Sequence, residues 1–402
     1  MKLYDVGILG AGVAGSFATY KLCQNNKNLK VAVVDIGRPP LKRRRQMEGW
    51  MGCLPTSDGK FYKTDLDLAK NVCKEQDVDN SFEYLNNMFS NLFEFELTKT
   101  KKVTKTTQDL LKDNNYLIQY HDFYQLMPKN VHTISKFMNK FIEDHENLHY
   151  YFDEEIGSIS RDENGFLITT EYNTFYCKNI LLSVGRSGWR FTKSIFDFFG
   201  INQEDKICNF GLRAELGESS LKDFNKSVCT LKKDNFTIGK FLWNGTTIQE
   251  DHVDFAISTY RSNENRWKSE KVSFDIIASI ECENASYEAE RIAKLSFLLG
   301  NDRVIKEKLN LFLEDKAKIS PLKEYKWVNG LFNNLNNITN EFTDKAYVYY
   351  PTLKVQAPKI SIKENLETEV DGLYVAGETS GNQGLLYSAI TGLVFADTFG
   401  VK

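Results

Sequence analysis

The sequence predicts an α/β protein with a parallel-sheet domain built from discontinuous segments, and a second, mixed α+β domain. Three observations predict this architecture. A glycine-rich turn follows the first apolar strand, another strand–turn–helix unit lies near the end of the 402 residues, and alternating apolar segments lie between them. With 42% hydrophobic and 26% charged residues, the chain is long enough to bury the cores of two domains.

The first 35 residues read as strand, turn, helix and strand. Residues 4–9 are almost wholly apolar, as in a strand buried on both faces, and residues 16–23 have helical spacing. A second apolar strand, 31–34, is followed by Asp35. Between the first strand and the helix lies Gly-Ala-Gly-Val-Ala-Gly at positions 10–15, a GxGxxG motif in the context that gives it meaning.

Each part of this motif has a physical reason. The first glycine permits a tight turn, the second lets a pyrophosphate approach the backbone, and the third lets the helix pack on the strand. The helix N-terminus offers unpaired N–H groups and a partial positive charge to an anion. Asp35, twenty positions after Gly15, can accept hydrogen bonds from ribose hydroxyls. We therefore expect a Rossmann-type dinucleotide site, the alternative being a glycine-rich turn that binds no nucleotide.

Three later segments add a family resemblance. A strand over 372–376 leads into Gly-Glu-Thr-Ser-Gly at 377–381 and a helix from Leu385, and a strand over 175–184 ends in Gly-Arg-Ser-Gly at 185–188. The loop 49–60 ends in Ser-Asp-Gly-Lys. Together these segments resemble the glutathione-reductase-like FAD superfamily, and within it a family of poorly characterised bacterial FAD-dependent dehydrogenases. The segment 209–213 adds to that second resemblance.

The resemblance implies how an FAD would be held. The loop 49–60 would lie over the cofactor, the backbone near 155–157 would meet the adenine, and Glu378 would contact the ribityl chain or a phosphate where the family usually has aspartate. The helix from Leu385 would point its N-terminus at the flavin pyrimidine ring, where its partial positive charge would stabilise the reduced flavin. The predicted cofactor-binding residues are Gly10, Gly12, Val13, Ala14, Gly15, Asp35, Ile36, Gly52, Ser57, Lys60, Ile156, Val184, Gly185, Arg186, Gly377, Glu378, Gly384 and Leu385.

Domain organisation follows from the positions of these motifs. Residues 1–60, 125–195 and 345–402 are predicted to form the FAD-binding domain, and 61–124 a helical insertion rich in Lys, Asp and Asn. Residues 196–344 are predicted to form a substrate domain with an antiparallel sheet. Its predicted strands are 207–216, 236–243, 253–260 and 273–280, and its predicted helices are 287–299 and 302–312.

Catalytic residues are harder to choose, because in flavoenzymes the cofactor transfers the electrons. The weak candidates are Cys53, Lys60 and His252. The alternative for Cys53 is a small buried residue, since the chain has no CxxC pair, and for Lys60 a solvated loop residue. We interpret the basic run 42–45 as solvated surface, and the five histidines show no metal-binding spacing.

We therefore expect an FAD-dependent oxidoreductase, a dehydrogenase or reductase that moves hydride between the flavin and a small-molecule substrate. NAD(P)H and a protein are the candidate electron donors. The alternatives are a flavin monooxygenase, an amine-oxidising or C–N-cleaving flavoenzyme, and a non-catalytic flavin sensor. A net charge of −3 does not indicate nucleic acid, no apolar run of membrane-spanning length occurs, and seven scattered cysteines favour a cytoplasmic protein.

Overall fold

The computed structural model describes residues 1–39, 42–43, 47–252, 254–262, 269–336, 346–354 and 357–399. Its helices are α1 (Val13–Asn25), α2 (Thr64–Lys70), α3 (Glu75–Ser90), α4 (Lys105–Asp113), α5 (Pro128–Glu143), α6 (Trp189–Phe199), α7 (Ala285–Leu299), α8 (Leu309–Leu313), α9 (Trp327–Asn336) and α10 (Leu385–Asp397). Its strands are β1 (Lys2–Leu9), β2 (Val31–Asp35), β3 (Lys60–Tyr62), β4 (Leu97–Thr98), β5 (Leu117–Tyr120), β6 (Phe123–Gln125), β7 (Leu148–Phe152), β8 (Ile156–Asp162), β9 (Gly165–Thr170), β10 (Thr174–Leu182), β11 (Gln203–Glu204), β12 (Ile207–Gly217), β13 (Cys229–Lys233), β14 (Phe236–Trp243), β15 (Gly245–Asp251), β16 (Ala256–Ser262), β17 (Lys271–Glu281), β18 (Ile305–Lys308), β19 (Tyr347–Leu353), β20 (Lys359–Ile360) and β21 (Leu373–Val375).

The chain divides into two compact units. The first consists of 1–97, 123–205 and 356–402, and the second of 98–122 and 206–355. The stretch predicted as one helical insertion, 61–124, is therefore shared: α2 and α3 belong to the first unit, α4 and β5 to the second. The strand β5 pairs with β13 at the edge of a sheet, and four residues are too few to show the alternation that would have predicted a strand.

A parallel sheet organises the first unit. Its strands lie in the order β7, β2, β1, β10 and β21, all parallel, while β8 and β9 form an antiparallel meander against the first half of β10. Apolar residues cover both faces: Val31 and Val33 belong to one core cluster, Ala32 and Val34 to the other. This two-sided burial explains the uninterrupted apolar strands of the sequence, and it confirms the predicted α/β fold class.

The first and last helices of this unit pack closely against each other. A Cβ on Gly392 of α10 would overlap the backbone carbonyl oxygen of Ala14 in α1, and a Cβ on Gly377 would lie 3.0 Å from the Ala14 side chain. Small residues at these positions let the two backbones touch. Segments more than 360 residues apart thereby meet at the same end of the sheet.

The second unit is built on an antiparallel sheet in the order β18, β19, β12, β17, β14, β13 and β5, with β15 and β16 forming a separate hairpin. The strand predictions for 207–216, 236–243 and 273–280 are confirmed. That for 253–260 is met by β16 from Ala256 onward, residues 254 and 255 are not strand, and Val253 lies outside the described residues. The helix prediction for 302–312 is wrong in its first half, where β18 forms because it pairs with β19. No helix of the described residues has the length and apolar composition needed to cross a membrane.

We expect Gly392→Ala to destabilise the protein by about 1–3 kcal/mol, the typical cost of adding a methyl group to a packed core, because the new Cβ must push α1 away from α10. Urea unfolding measures this change. Gly157→Ala is the control: its Cβ would lie 3.6 Å from the nearest described atom outside its own neighbours, an ordinary contact. Equal midpoints for the two variants would contradict the close helix packing.

Candidate dinucleotide site

The glycine-rich turn joins β1 to α1 with almost no intervening chain. Gly10 has φ +100°, which only glycine adopts readily, and a Cβ on Gly15 would overlap the carbonyl oxygen of Gly10. Gly12 differs from both: among the described residues outside its own neighbours, its Cβ would meet only Ser183 O, at 3.7 Å. Packing within the protein therefore requires glycine at 10 and 15, whereas the space beside Gly12 is left open.

Asp35 ties this turn to its neighbours. Its carboxylate accepts hydrogen bonds from the backbone N–H groups of Ala11 (2.6 Å), Gly37 (2.6 Å) and Gly49 (2.8 Å). The side chain is 9% exposed, and burial raises the pKa of the Asp35 carboxyl, an effect that the three amide hydrogen bonds oppose. Sequence reasoning expects Asp35 to bind ribose. The structure adds that the same carboxylate holds three backbone segments together.

The loop that begins at Gly49 lies directly on the glycine turn. The Met51 N–H donates to Ala11 O and to the Ser16 hydroxyl, both at 2.9 Å, and a Cβ on Gly52 would lie 3.1 Å from the Gly12 Cα. Gly52 therefore lies beside the glycine turn, and its contact with a cofactor stays a prediction. Ser16 was missed by sequence reasoning, because its role depends on a loop 35 residues further along the chain.

Arg43 departs from the interpretation of 42–45 as solvated surface. Its guanidinium is partly buried, donates a hydrogen bond to Trp50 O at 2.8 Å, and lies near the carboxylate of Asp35 and the thiol of Cys53. Arg44 and Arg45 lie outside the described residues. Cys53 itself immediately precedes a short 3₁₀ turn over 54–56 and is partly exposed.

Ser57 and Lys60, the predicted cofactor-binding residues at the end of the same loop, interact with other residues of that loop. The Ser57 hydroxyl donates to Leu54 O at 2.9 Å and accepts from the Gly59 N–H at 3.1 Å. The Lys60 ammonium is buried and pairs with Asp58 at 3.0 Å, so Lys60 is not the solvated residue weighed as its alternative. The roles of Ser57 and Lys60 toward a cofactor stay predictions.

Turns from the other two segments meet the glycine turn. The Gly185 N–H donates to the Thr379 hydroxyl at 3.3 Å, and the Arg186 N–H donates to a Glu378 carboxylate oxygen at 3.1 Å. Val184 and Gly185 follow β10, which lies directly beside β1. The structure therefore brings together the three predicted segments, all within the first unit, at the carboxyl ends of adjacent parallel strands.

The remaining cofactor candidates lie at other positions of the first unit. Ile36 directly follows β2 and is 46% exposed, while Ile156 begins β8, three strands from β1 in the sheet order. Gly384 and Leu385 stand at the start of α10, where the carboxylate of Asp65 also lies. No sequence signal identifies Asp65, since its partners are more than 300 residues away.

His252, the candidate in the second unit, is held by its neighbours. Its Nε2 lies 3.1 Å from a Glu250 carboxylate oxygen, and its ring stacks on Phe255 at a centroid distance of 4.7 Å. No group of three or more His, Cys, Asp or Glu side chains that could hold a metal ion occurs among the described residues.

One face of the sheet in the second unit carries a buried polar network. Arg213 pairs with Asp275 directly across β12 and β17 and donates to the Ser273 hydroxyl at 3.2 Å. Glu215, on the same face, accepts from the Lys271 ammonium at 2.8 Å and from the Tyr349 hydroxyl at 3.2 Å. These ion pairs and hydrogen bonds offset part of the cost of burying the charged groups.

Comparison with known proteins gives distant likenesses. No protein-family model and no curated protein matches the chain. Among solved structures, p-nitrophenol 4-monooxygenase from Pseudomonas putida is 10% identical (TM-score 0.46, 99% of this chain and 78% of that one). Glycine oxidase from Geobacillus kaustophilus is 13% identical (TM-score 0.42, 99% and 95%), and FAD-bound L-α-glycerophosphate oxidase from Mycoplasma pneumoniae is 11% identical (TM-score 0.43, 99% and 94%).

We expect Asp35→Asn to lower the free energy of unfolding by about 1–3 kcal/mol without any ligand, because an amide replaces one acceptor oxygen and leaves a buried backbone N–H without its partner. Thermal unfolding of nucleotide-free protein measures the loss. Asp153→Asn, which changes an exposed pair with Arg38, is the control and should have little effect. An Asp35→Asn protein with the unfolding temperature of the wild type would mean that these hydrogen bonds to the backbone amides do not stabilise the fold.

The second unit should be sensitive to acid. Burial lowers the pKa of His121 to about 3, with nearby lysines adding to the shift, and its Nε2 lies 2.8 Å from the Thr230 hydroxyl. Because the unfolded histidine takes up a proton near its ordinary pKa, this contribution to stability is complete above pH 6.5 and falls by about 1.4 kcal/mol per pH unit below it. His121→Gln should remove that part of the slope between pH 6.5 and pH 5. The free energy of unfolding of both proteins is measured by urea titration at several pH values. An equal pH dependence of the wild type and the variant would refute the prediction.

Proposed function

We propose that the chain binds FAD and works as an FAD-dependent oxidoreductase. The observation that carries the proposal is the meeting of three turns, at Gly12, Gly185 and Gly377, at the carboxyl ends of adjacent parallel strands, with open space beside Gly12. In open α/β sheets this edge, where connections diverge to either side, is where nucleotides bind.

The residues present fit a dinucleotide. The first N–H groups of α1 and its partial positive charge point out of the turn at Gly12, so a pyrophosphate there would gain hydrogen bonds that the helix cannot make internally. The open space beside Gly12 supports this fit, because neither strand packing nor a positive φ explains why a side chain is absent there.

The order of the strands indicates how a bound dinucleotide would run across the sheet. With the pyrophosphate at the end of β1, the half of the dinucleotide near Asp35 lies over β2, and the other half must run over β10 and β21. There it would meet the turns at Gly185 and Glu378. A flavin in that half agrees with the resemblance of the segment 377–388 to the closing motif of the FAD superfamily.

Within this proposal the residues of the chain bind and orient, and a bound flavin supplies the hydride transfer. The N–H groups of Val13 and Ala14 would bind the pyrophosphate, and Asp35 would fix the ribose at the adenosine end. Glu378 would keep the turn after β10 in place through the Arg186 N–H. We propose a dehydrogenase or reductase acting on a small molecule, with NAD(P)H or a protein as the electron donor.

Gly12→Ala tests the proposal. Nothing described in the protein clashes with the added Cβ, so the nucleotide-free variant should unfold at the wild-type temperature, whereas FAD should bind at least tenfold more weakly, a loss of about 1.4 kcal/mol. Titration of nucleotide-free protein with FAD, followed by the visible flavin spectrum, measures the affinity.

Two further titrations make this result specific. Gly217→Ala, at the end of β12 in the second unit, should bind FAD like the wild type, because the added Cβ would make only an ordinary contact, 3.6 Å from Ser219 Oγ. FMN, which has no pyrophosphate bridging to adenosine, should bind much more weakly than FAD. A Gly12→Ala protein with wild-type FAD affinity would contradict the placement of the pyrophosphate.

A further inference from the structure

A buried carboxylate closes the N-terminus of the last helix. Asp65, in α2, accepts a hydrogen bond from the Leu386 N–H of α10 at 3.2 Å, and its side chain is 2% exposed. The residues at this helix start, Gly384 and Leu385, are among those predicted to contact the cofactor. An acidic side chain of another helix therefore occupies part of the N-terminus that the resemblance directs at the flavin.

The backbone is shaped to admit this carboxylate. Gly384 has φ +147°, and a Cβ there would overlap the carboxylate of Asp65. Glycine is thus required at this position by Asp65 as well as by its own backbone conformation. The partial positive charge of the helix N-terminus in turn stabilises the ionised form of a nearby carboxylate.

The charge of Asp65 lies on the side where the flavin half of the dinucleotide would run. The helix α10 follows β21, which pairs with β10, which pairs with β1, so its start lies on the far side of the glycine turn from Asp35. A macrodipole amounts to about half an elementary charge at the helix end, and a carboxylate carries a full negative charge. The carboxylate therefore opposes the positive potential of this helix end.

We propose that Asp65 tunes the redox properties of the flavin by cancelling the positive end of α10. This inference depends on the proposed FAD binding. Reduction of a flavin places negative charge on its pyrimidine side, and a helix end whose positive charge is offset by a carboxylate stabilises that charge less. Asp65 is thus a positioning residue that acts through the field at the start of α10, and it keeps the flavin harder to reduce than an uncapped helix would.

Asp65→Asn tests the inference in purified holoprotein. Asparagine has the same shape as aspartate, and its amide oxygen can accept the Leu386 N–H, so the variant removes the charge and can keep this hydrogen bond. The readouts are the midpoint potential of the bound flavin and its dissociation constant for sulfite, a nucleophile that adds to flavin N5 and leaves negative charge on the ring. We expect sulfite to bind at least tenfold more tightly. We also expect the equilibrium constant for two-electron reduction of the flavin to rise at least tenfold, which corresponds to a rise of about 30 mV in its midpoint potential.

Asp67→Asn, an exposed carboxylate of the same helix, is the matched control and should change neither readout. Asp65→Ser, which is also uncharged but has a shorter side chain, supplies a second variant. Unchanged potential and sulfite affinity in Asp65→Asn, or loss of FAD from both neutral variants while Asp67→Asn retains it, would overturn the inference and leave FAD binding standing. A wild-type protein that takes up no FAD would overturn the proposed function itself.

Discussion

The close approach of the first and last helices is the constraint on which the site depends. Ala14 of α1 packs against Gly377, in the turn before α10, and against Gly392, within α10. A single methyl group added at Gly392 would push the two helix backbones apart. Because of this contact, a turn from the first residues and a turn from the last residues share one end of the parallel sheet. The proposed cofactor site exists only while these two helices remain in contact.

A second constraint acts on the other side of the turn. The carboxylate of Asp35 holds three backbone N–H groups that belong to the glycine turn, the end of β2 and the loop at Gly49. The carboxylate of Asp65 does the same kind of work at the start of α10. Each acid fixes a helix start or turn whose amides would otherwise lack partners, and each brings a negative charge to a different end of the proposed ligand.

Much of the first unit could be predicted from sequence because its signals are local. The apolar strand 31–34 is buried on both faces, and the glycines at 10 and 15 are dictated by a turn and a helix contact within a few residues.

Long-range pairing was harder to predict. The neighbouring strands β7 and β8 pair with different partners, β2 and β9, and no local pattern indicates which. The strand β18 replaces a predicted helix because β19 lies beside it. Asp65 has no sequence signal, since its role arises from a contact across 321 positions.

The flavin content of the purified protein tests the central claim most directly. Protein is denatured, the released flavin is separated and quantified by absorbance, and the amount is compared with the protein concentration, before and after incubation with excess FAD and gel filtration. A dinucleotide held between turns from the two ends of the chain predicts one FAD per chain and no FMN. Protein that stays colourless after incubation, or that retains FMN instead, would contradict the account.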